Sequence, residues 1–206
     1  MTTYYAALDE GTTSTRTVIF DAAGNYISDH YIKLNTYFPY SGWVELRVEE
    51  IWAATLATWF EALNKAGLKP EDIVAVGITN QRETTVLWDR DTGRAVYNAI
   101  VWQDRRTSKH CDELRQEGLE ELIQHKTGLI IDPYFSATKL AWILDKIPSV
   151  RAKAELGHLA FGTIDSFLLW RMTGGKKHCT DATNAARTLL FNIYEQRWDE
   201  IGRAHV

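Results

Sequence analysis

The stretch Tyr4-Tyr-Ala-Ala-Leu-Asp-Glu-Gly-Thr-Thr-Ser-Thr-Arg-Thr-Val-Ile-Phe-Asp21 decides how this chain is read. A short apolar run ends in Asp9. A hydroxyl-rich turn follows, with Gly11, Thr12, Thr13, Ser14 and Thr15; after Arg16 a second apolar run, Val18 to Phe20, closes at Asp21. The pattern predicts two strands joined by a tight Gly-containing turn. Such a turn collects what a polyphosphate needs: backbone N–H groups, hydroxyl donors, a guanidinium, and a carboxylate able to hold a hydrated Mg2+. Gly-Thr-Thr by itself would suit an ordinary surface hairpin. Asp, Gly, Thr, Thr and Arg in this order favour a nucleotide site.

Outward from this hairpin, residues 4–38 read as three strands, with Asp21-Ala-Ala-Gly-Asn25 as the turn between the second and third. Alternation then gives way to helical spacing. Val48, Ile51, Trp52, Leu56, Trp59, Phe60 and Leu63 recur at three and four, and Gly67 is the expected C-cap. Ile73 to Ile78 is a short continuous apolar run, the pattern of a strand covered on both faces. Asp91-Thr-Gly93 is a hairpin turn between Thr85–Asp89 and Ala95-Val96. Helices are expected over 105–116, 119–125, 136–147 and 164–172, and a strand over 158–161. Trp52, Trp59, Trp142 and Trp170 fall on apolar helical stripes and are expected in the core. Antiparallel strands followed by alternating helices and strands make an α/β layer fold.

Composition narrows the classes. The chain has 206 residues, 23 basic against 27 acidic side chains, and a net charge of −4. No basic stripe stands out, which argues against nucleic acid as a partner. No apolar run approaches a membrane span, and the N-terminus lacks the pattern of a signal peptide. Cys111 and Cys179 match no Cys-x-x-Cys pattern and read as free thiols of a cytoplasmic protein. The pairs His110-Cys111 and His178-Cys179 lack further ligands at useful spacing and do not make a metal site. Neither Gly-x-x-x-x-Gly-Lys-Ser/Thr nor Gly-x-Gly-x-x-Gly occurs; Gly174-Gly-Lys-Lys177 comes nearest. A nucleotide would therefore have to be held by the first hairpin.

A second group of candidates follows the buried-strand pattern. Asn80-Gln81-Arg82-Glu83 stands directly after it, where ligands gather in open α/β sheets. Arg82 brings a fork of donors and Glu83 an acceptor, and a polyol needs both. An exposed Arg–Glu pair is the plain alternative. Trp102, before Gln103-Asp104-Arg105-Arg106, offers a face for the C–H side of a polyol, or else a core side chain. Tyr134 lies in a loop after Asp132-Pro133, where a packing role is the plain reading.

Asp9-Glu-Gly-Thr-Thr-Ser-Thr-Arg16 resembles the first phosphate motif of the actin-like ATPase superfamily, in the form used by the FGGY carbohydrate kinases. Gly42-Trp-Val-Glu45, Asn80-Gln-Arg-Glu-Thr84, Val101-Trp-Gln-Asp-Arg-Arg106, Thr127-Gly-Leu129, Asp132-Pro-Tyr-Phe-Ser-Ala-Thr-Lys139 and Thr180-Asp-Ala-Thr-Asn-Ala-Ala-Arg-Thr188 are similar to segments of the glycerol kinases, in the same order. The resemblance implies a ribonuclease-H-like domain and phosphoryl transfer from ATP to glycerol in a homo-oligomeric parent. By it, Arg82, Glu83, Trp102 and Tyr134 hold glycerol. Thr12, Thr13, Ser14 and Arg16 hold ATP phosphates, and Asp9 holds Mg2+ through water.

The chain departs from this family in three ways. Leu46-Arg47-Val48 replaces the usual His-Asp-Pro, removing a carboxylate N-cap and a helix-starting proline. Family members are more than twice as long. They carry their catalytic Asp base and their adenine pocket beyond the position matching Val206. Glu200-Ile-Gly-Arg-Ala-His-Val206 does not resemble the family and reads as a translated adapter. Residues 1–199 are thus expected to be an N-terminal kinase domain, incomplete at its C-terminal end, with 200–206 a non-native tail and the second domain absent. The alternatives are another FGGY kinase acting on a pentulose, an actin-like nucleotide switch, or an inactive fragment.

Overall fold

The computed structural model describes residues 3–200. The chain divides into two compact units. The first comprises residues up to Thr36 together with Leu46–Gln81, and the second comprises Tyr37–Glu45 and the residues from Arg82 on. The expected tail falls on residues 201–206, which lie outside the described residues, apart from exposed Glu200.

The first unit opens with strands β1 (Tyr4–Glu10), β2 (Ser14–Asp21) and β3 (Tyr26–Lys33). Two-residue strands β4 (Thr36–Tyr37) and β5 (Glu45–Leu46) lead to helix α1 (Val48–Ala66) and strand β6 (Ile73–Asn80). The sheet order is β3-β2-β1-β6; β1 pairs antiparallel with β2 and parallel with β6. α1 packs on β2 and β3. The expected hairpin, third strand and helix are all present. Arg47 provides no side-chain cap at the start of α1, where Glu49 and Glu50 meet the positive end of the helix instead. Gly67 ends the helix at φ 66°, a left-handed conformation that glycine adopts without strain.

Two expectations are corrected here. The buried face of α1 is Val48, Ile51, Ala54, Thr55, Thr58, Ala62 and Leu63. Leu56 and Phe60 are exposed, and Trp52 and Trp59 are only half-buried. The reason is polar. Thr58 accepts a hydrogen bond from Thr17 (2.9 Å), Thr55 donates to Glu10 (2.6 Å), and Ser28 donates to the Ala62 carbonyl (2.7 Å). A count of apolar positions passes over a face whose threonines are satisfied across the interface. The second correction is β6, expected to be covered on both faces. It lies at the edge of its sheet, with Val74 66% and Val76 36% exposed. The described residues of this unit do not supply the second cover that an apolar parallel strand ordinarily receives.

The second unit contains β7 (Val86–Asp89), β8 (Ala99–Ile100), α2 (Ser108–Gln116), α3 (Glu120–Thr127), α4 (Ser136–Lys146), α5 (Val150–Glu155), β9 (Leu159–Gly162), α6 (Ile164–Met172), α7 (Ala182–Ala185), β10 (Phe191–Asn192) and β11 (Arg197–Trp198). β7 pairs antiparallel with β9. The turn after β7 closes through Gly93 N–H to the Asp89 carbonyl (2.8 Å), and Trp88 bridges to Ala95 as a hairpin requires. The core gathers Leu87, Ile100, Leu114, Ile131, Leu140, Ile143 and Leu190. Trp170 is buried as expected, whereas Trp142 is half-buried. Cys111 is buried and Cys179 exposed, both as free thiols. Helices α5 and α7 and the short strands carry too few residues for periodicity to register.

Candidate functional site

The hairpin of the first unit separates two adjacent carboxylates. Asp9 lies opposite Arg16 and Glu10 opposite Thr15. Side chains alternate along a strand, so the pairs fall on opposite faces. Asp9 and Arg16 are exposed, while Glu10 and Thr15 are fully buried. The turn closes through Gly11 N–H to the Ser14 carbonyl (3.0 Å). A Cβ at Gly11 would stand 3.2 Å from that oxygen, so the turn would have to give by a few tenths of an ångström. Gln81 secures the turn further: its N–H donates to the Glu10 carbonyl (2.9 Å) and its amide to the Gly11 carbonyl (3.0 Å). Thr12 and Ser14 are half-buried and Thr13 is exposed.

Arg16 does not stand open. Its guanidinium donates to Asp29 on β3 (2.7 and 2.8 Å), with the Arg16 side chain 48% exposed. Hydrogen bonds from Tyr26 and then Arg16 hold the Asp29 carboxyl below its usual range. Exposed pairs of this kind are weak, so a phosphate can compete for the guanidinium.

Glu10 was not among the residues expected to matter. Burial pushes its carboxyl up to about 7, opposed by hydroxyl donation from Thr55 and Thr15 (2.8 Å) and reinforced by Asp9. Because the folded value lies above the usual 4.5, the folded state binds the proton more tightly than the unfolded chain does. That stability is present in full below about pH 4.5 and is lost as pH rises through about 7, on the order of 3 kcal/mol in all. Glu10→Gln should abolish this slope and melt later than the parent at about pH 8. Urea unfolding at about pH 5 and about pH 8 checks it. Equal pH slopes in the two proteins would mean that Glu10 does not titrate as described.

In the second unit, the Trp102 and Tyr134 rings pack together, and Lys139 and Arg187 link Tyr134 to Glu83. Glu83 is buried, and Arg187 donates to its Oε1 (2.7 Å), which orients the rest of the carboxylate. The Trp102 and Tyr134 rings lie 5.4 Å apart at 55°. The Arg187 guanidinium stands 5.9 Å from the Tyr134 ring and 5.0 Å from that of Phe135. Asp132 caps the Tyr134 N–H (2.8 Å) and pairs with Arg105 (3.0 Å). Lys139 donates to the main-chain carbonyls of Glu83 (3.1 Å) and Tyr134. Arg82, the neighbour of Glu83, is exposed. The cluster offers a fixed carboxylate, two aromatic faces and an adjacent guanidinium, the mixture of acceptor, donor and apolar surface that a polyol requires.

The Trp-Gln-Asp-Arg-Arg segment divides its work. Trp102 joins the cluster. Arg106 is buried, donates to Glu45 (2.7 Å) and Asp104 (2.8 Å), and stacks 3.8 Å from the Trp43 ring and 4.7 Å from that of Trp142. Asp104 also accepts the Val44 N–H (2.6 Å). These residues hold the loop that presents Trp102. Lys139 and Arg187 had no assigned role in the sequence. A signal for Lys139 was available: it falls on the stripe Ser136, Leu140, Ile143, Leu144, Ile147 at helical spacing, where a charged side chain is out of place. A cavity of about 490 Å3, lined by Phe161, Thr163, Ser166, His178, Thr180 and Leu190 among others, includes none of the expected site residues. Among the described residues no group of three His, Cys, Asp or Glu side chains could hold a metal ion. A single exposed carboxylate such as Asp9 still fits the way Mg2+ is held, through water and substrate phosphates. No helix among the described residues is long and apolar enough to cross a membrane.

Residues 4–202 match the model of the N-terminal domain of the FGGY family of carbohydrate kinases. The chain is 58% identical to glycerol kinase of Nitrobacter hamburgensis over 200 residues, covering 97% of this chain and 40% of that protein. It is 58% identical to glycerol kinase of Alcanivorax borkumensis over 197 residues, 96% of this chain and 40% of that one. The chain therefore spans about two fifths of the length of these relatives. Among solved structures, Plasmodium falciparum glycerol kinase with ADP superposes with a TM-score of 0.91 at 32% identity, over 98% of this chain and 40% of that one. Gluconate kinase from Lactobacillus acidophilus gives 0.85 at 25% identity, over 99% and 39%.

Proposed function

We propose that this chain, which belongs to the FGGY family of carbohydrate kinases, is the N-terminal part of an ATP:glycerol 3-phosphotransferase. On this reading residues 1–199 are the N-terminal kinase domain of a cytoplasmic, homo-oligomeric enzyme that converts glycerol and ATP to glycerol 3-phosphate and ADP. The observation that carries it is the buried Glu83 carboxylate held by Arg187, whose guanidinium also lies near the Tyr134 ring that packs with Trp102. A nucleotide switch of the same superfamily has no use for such a cluster. Glu83 accepts a substrate hydroxyl, Arg82 donates to another, and Trp102 and Tyr134 face the carbon chain. The backbone N–H groups of the hairpin, with Thr12, Thr13, Ser14 and Arg16, bind and orient the phosphates. Asp9 would hold Mg2+ through water, and the ion would neutralise phosphate charge there. Phosphoryl transfer depends mainly on positioning and preorganised charge, which is what these residues supply. The base that takes the hydroxyl proton belongs to the part of the enzyme outside this stretch.

The test is a coupled ADP-release assay on the full-length chain with MgATP and either glycerol or xylulose. Glycerol should win by at least about tenfold in kcat/KM, since a site built around a polar ligand discriminates well. A preference for the pentulose would replace this reading with that of a sugar kinase of the same family. ATP hydrolysis unaffected by either compound would point to a nucleotide switch.

A further inference from the structure

We infer that Lys139 is the positioning residue of the polyol cluster: its ammonium gathers the main-chain carbonyls of Glu83 and Tyr134 and so fixes the spacing between the Glu83 carboxylate and the Tyr134 ring. This rests on Glu83 and Tyr134 being substrate ligands, as proposed above. Lys139 is fully buried on α4, and its Nζ donates to the Glu83 carbonyl at 3.1 Å and to that of Tyr134. Those two residues are far apart in sequence, and this ammonium bridges their main chains, as Arg187 bridges the Glu83 carboxylate and the Tyr134 ring. Ser136, at the start of the same helix, donates to the Glu83 carbonyl as well (3.4 Å).

The energetics point the same way. Burial drives the Lys139 ammonium down to about 7; the carboxylates of Asp104, Glu83 and Asp132 oppose this, and Arg105 adds to it. A buried ammonium is expensive, and a well-packed apolar side chain of similar volume commonly serves a core as well or better. The rest of the α4 stripe, Leu140, Ile143 and Leu144, is apolar and buried. Packing alone therefore does not account for a lysine at this position. Its three donors can hold two carbonyls from separate loops at once, which no apolar side chain can do. The carbonyls that it holds belong to Glu83 and Tyr134, whose side chains both lie near Arg187.

The test uses the full-length chain with three substitutions: Lys139→Met, Ser136→Ala and Thr138→Val. Thr138 lies on the same helix and exchanges a hydrogen bond with Thr107 (2.9 Å), so it reports what destabilising α4 does by itself. For each variant, KM for glycerol, KM for MgATP, kcat and Tm are measured. Lys139→Met should raise KM for glycerol by about tenfold or more and leave KM for MgATP within about twofold. Ser136→Ala should move the glycerol KM in the same direction by about two- to threefold, and Thr138→Val should lower Tm without moving it. Should Lys139→Met fail to fold, Ser136→Ala decides. A glycerol KM unchanged in the decisive variant, or raised equally by Thr138→Val, overturns the inference. A wild-type enzyme that prefers another polyhydroxy substrate overturns the proposed function instead, and the positioning role is then read from the KM for that substrate.

Discussion

Asp9→Asn in the full-length chain should depress kcat on the order of 100-fold, with little change in KM for glycerol. Charge stabilisation at a transferring phosphoryl group supplies several kcal/mol, and about 2.7 kcal/mol corresponds to a factor of 100. Asn keeps the shape of the side chain and removes the charge that would face hydrated Mg2+. Stability should not fall. Asp9 is exposed at the end of β1, and its charge raises the proton affinity of buried Glu10 through repulsion. Removing that charge relieves the repulsion, so Tm at neutral pH should stay level or rise slightly. Loss of turnover together with unchanged or improved Tm is the signature of a functional carboxylate. Full turnover at ordinary Mg2+ would reduce Asp9 to a residue that merely ends a strand.

The parts of this molecule that were legible in the sequence are those with strong local rules. The hairpin Asp9–Arg16, the C-cap at Gly67, the turn at Asp91–Gly93 and helix α6 each follow from short-range chemistry. Glu83, Trp102 and Tyr134 could be named because their motifs resemble a family; in the structure Trp102 packs with Tyr134, and Arg187 links the Tyr134 ring to Glu83. What could not be read depends on partners distant in sequence. Thr55 and Thr58 turn inward because Glu10 and Thr17 wait across the interface, and no periodicity of apolar residues contains that information. Lys139 and Arg187 act on Glu83 from loops and helices far along the chain. Asp104 and Arg106 stand beside Trp102 in the sequence, but their partners Glu45, Val44, Trp43 and Trp142 are distant in it and could not be read there. β6 shows the converse. Its apolar run correctly gives a strand, but cover on both faces is a property of neighbours, and the described residues of its unit do not provide it.

Arg82→Ala in the full-length chain should lower kcat/KM for glycerol by about tenfold to hundredfold. A hydrogen bond to a charged group contributes about 1.5–3 kcal/mol, and each 1.4 kcal/mol is a factor of ten. Arg82 is a cleaner probe of the polyol site than Glu83. Truncating Glu83 would leave the Arg187 guanidinium without its carboxylate, so a kinetic loss there would mix ligand recognition with structural damage. Arg82 is exposed, and its removal leaves no buried group unsatisfied, so Tm should hold within the scatter usual for surface substitutions. Arg82→Lys separates charge from geometry: a point charge remains, but the planar fork that can serve two hydroxyl oxygens is lost, and an intermediate kcat/KM is expected. The split between the two kinetic constants then states what the guanidinium does. A rise in KM alone means that it binds glycerol equally in ground and transition states, whereas a fall in kcat means that it holds the attacking hydroxyl in line. An unchanged kcat/KM for glycerol in Arg82→Ala would remove Arg82 from the site and leave Glu83, Trp102 and Tyr134 to recognise the substrate without a charged donor.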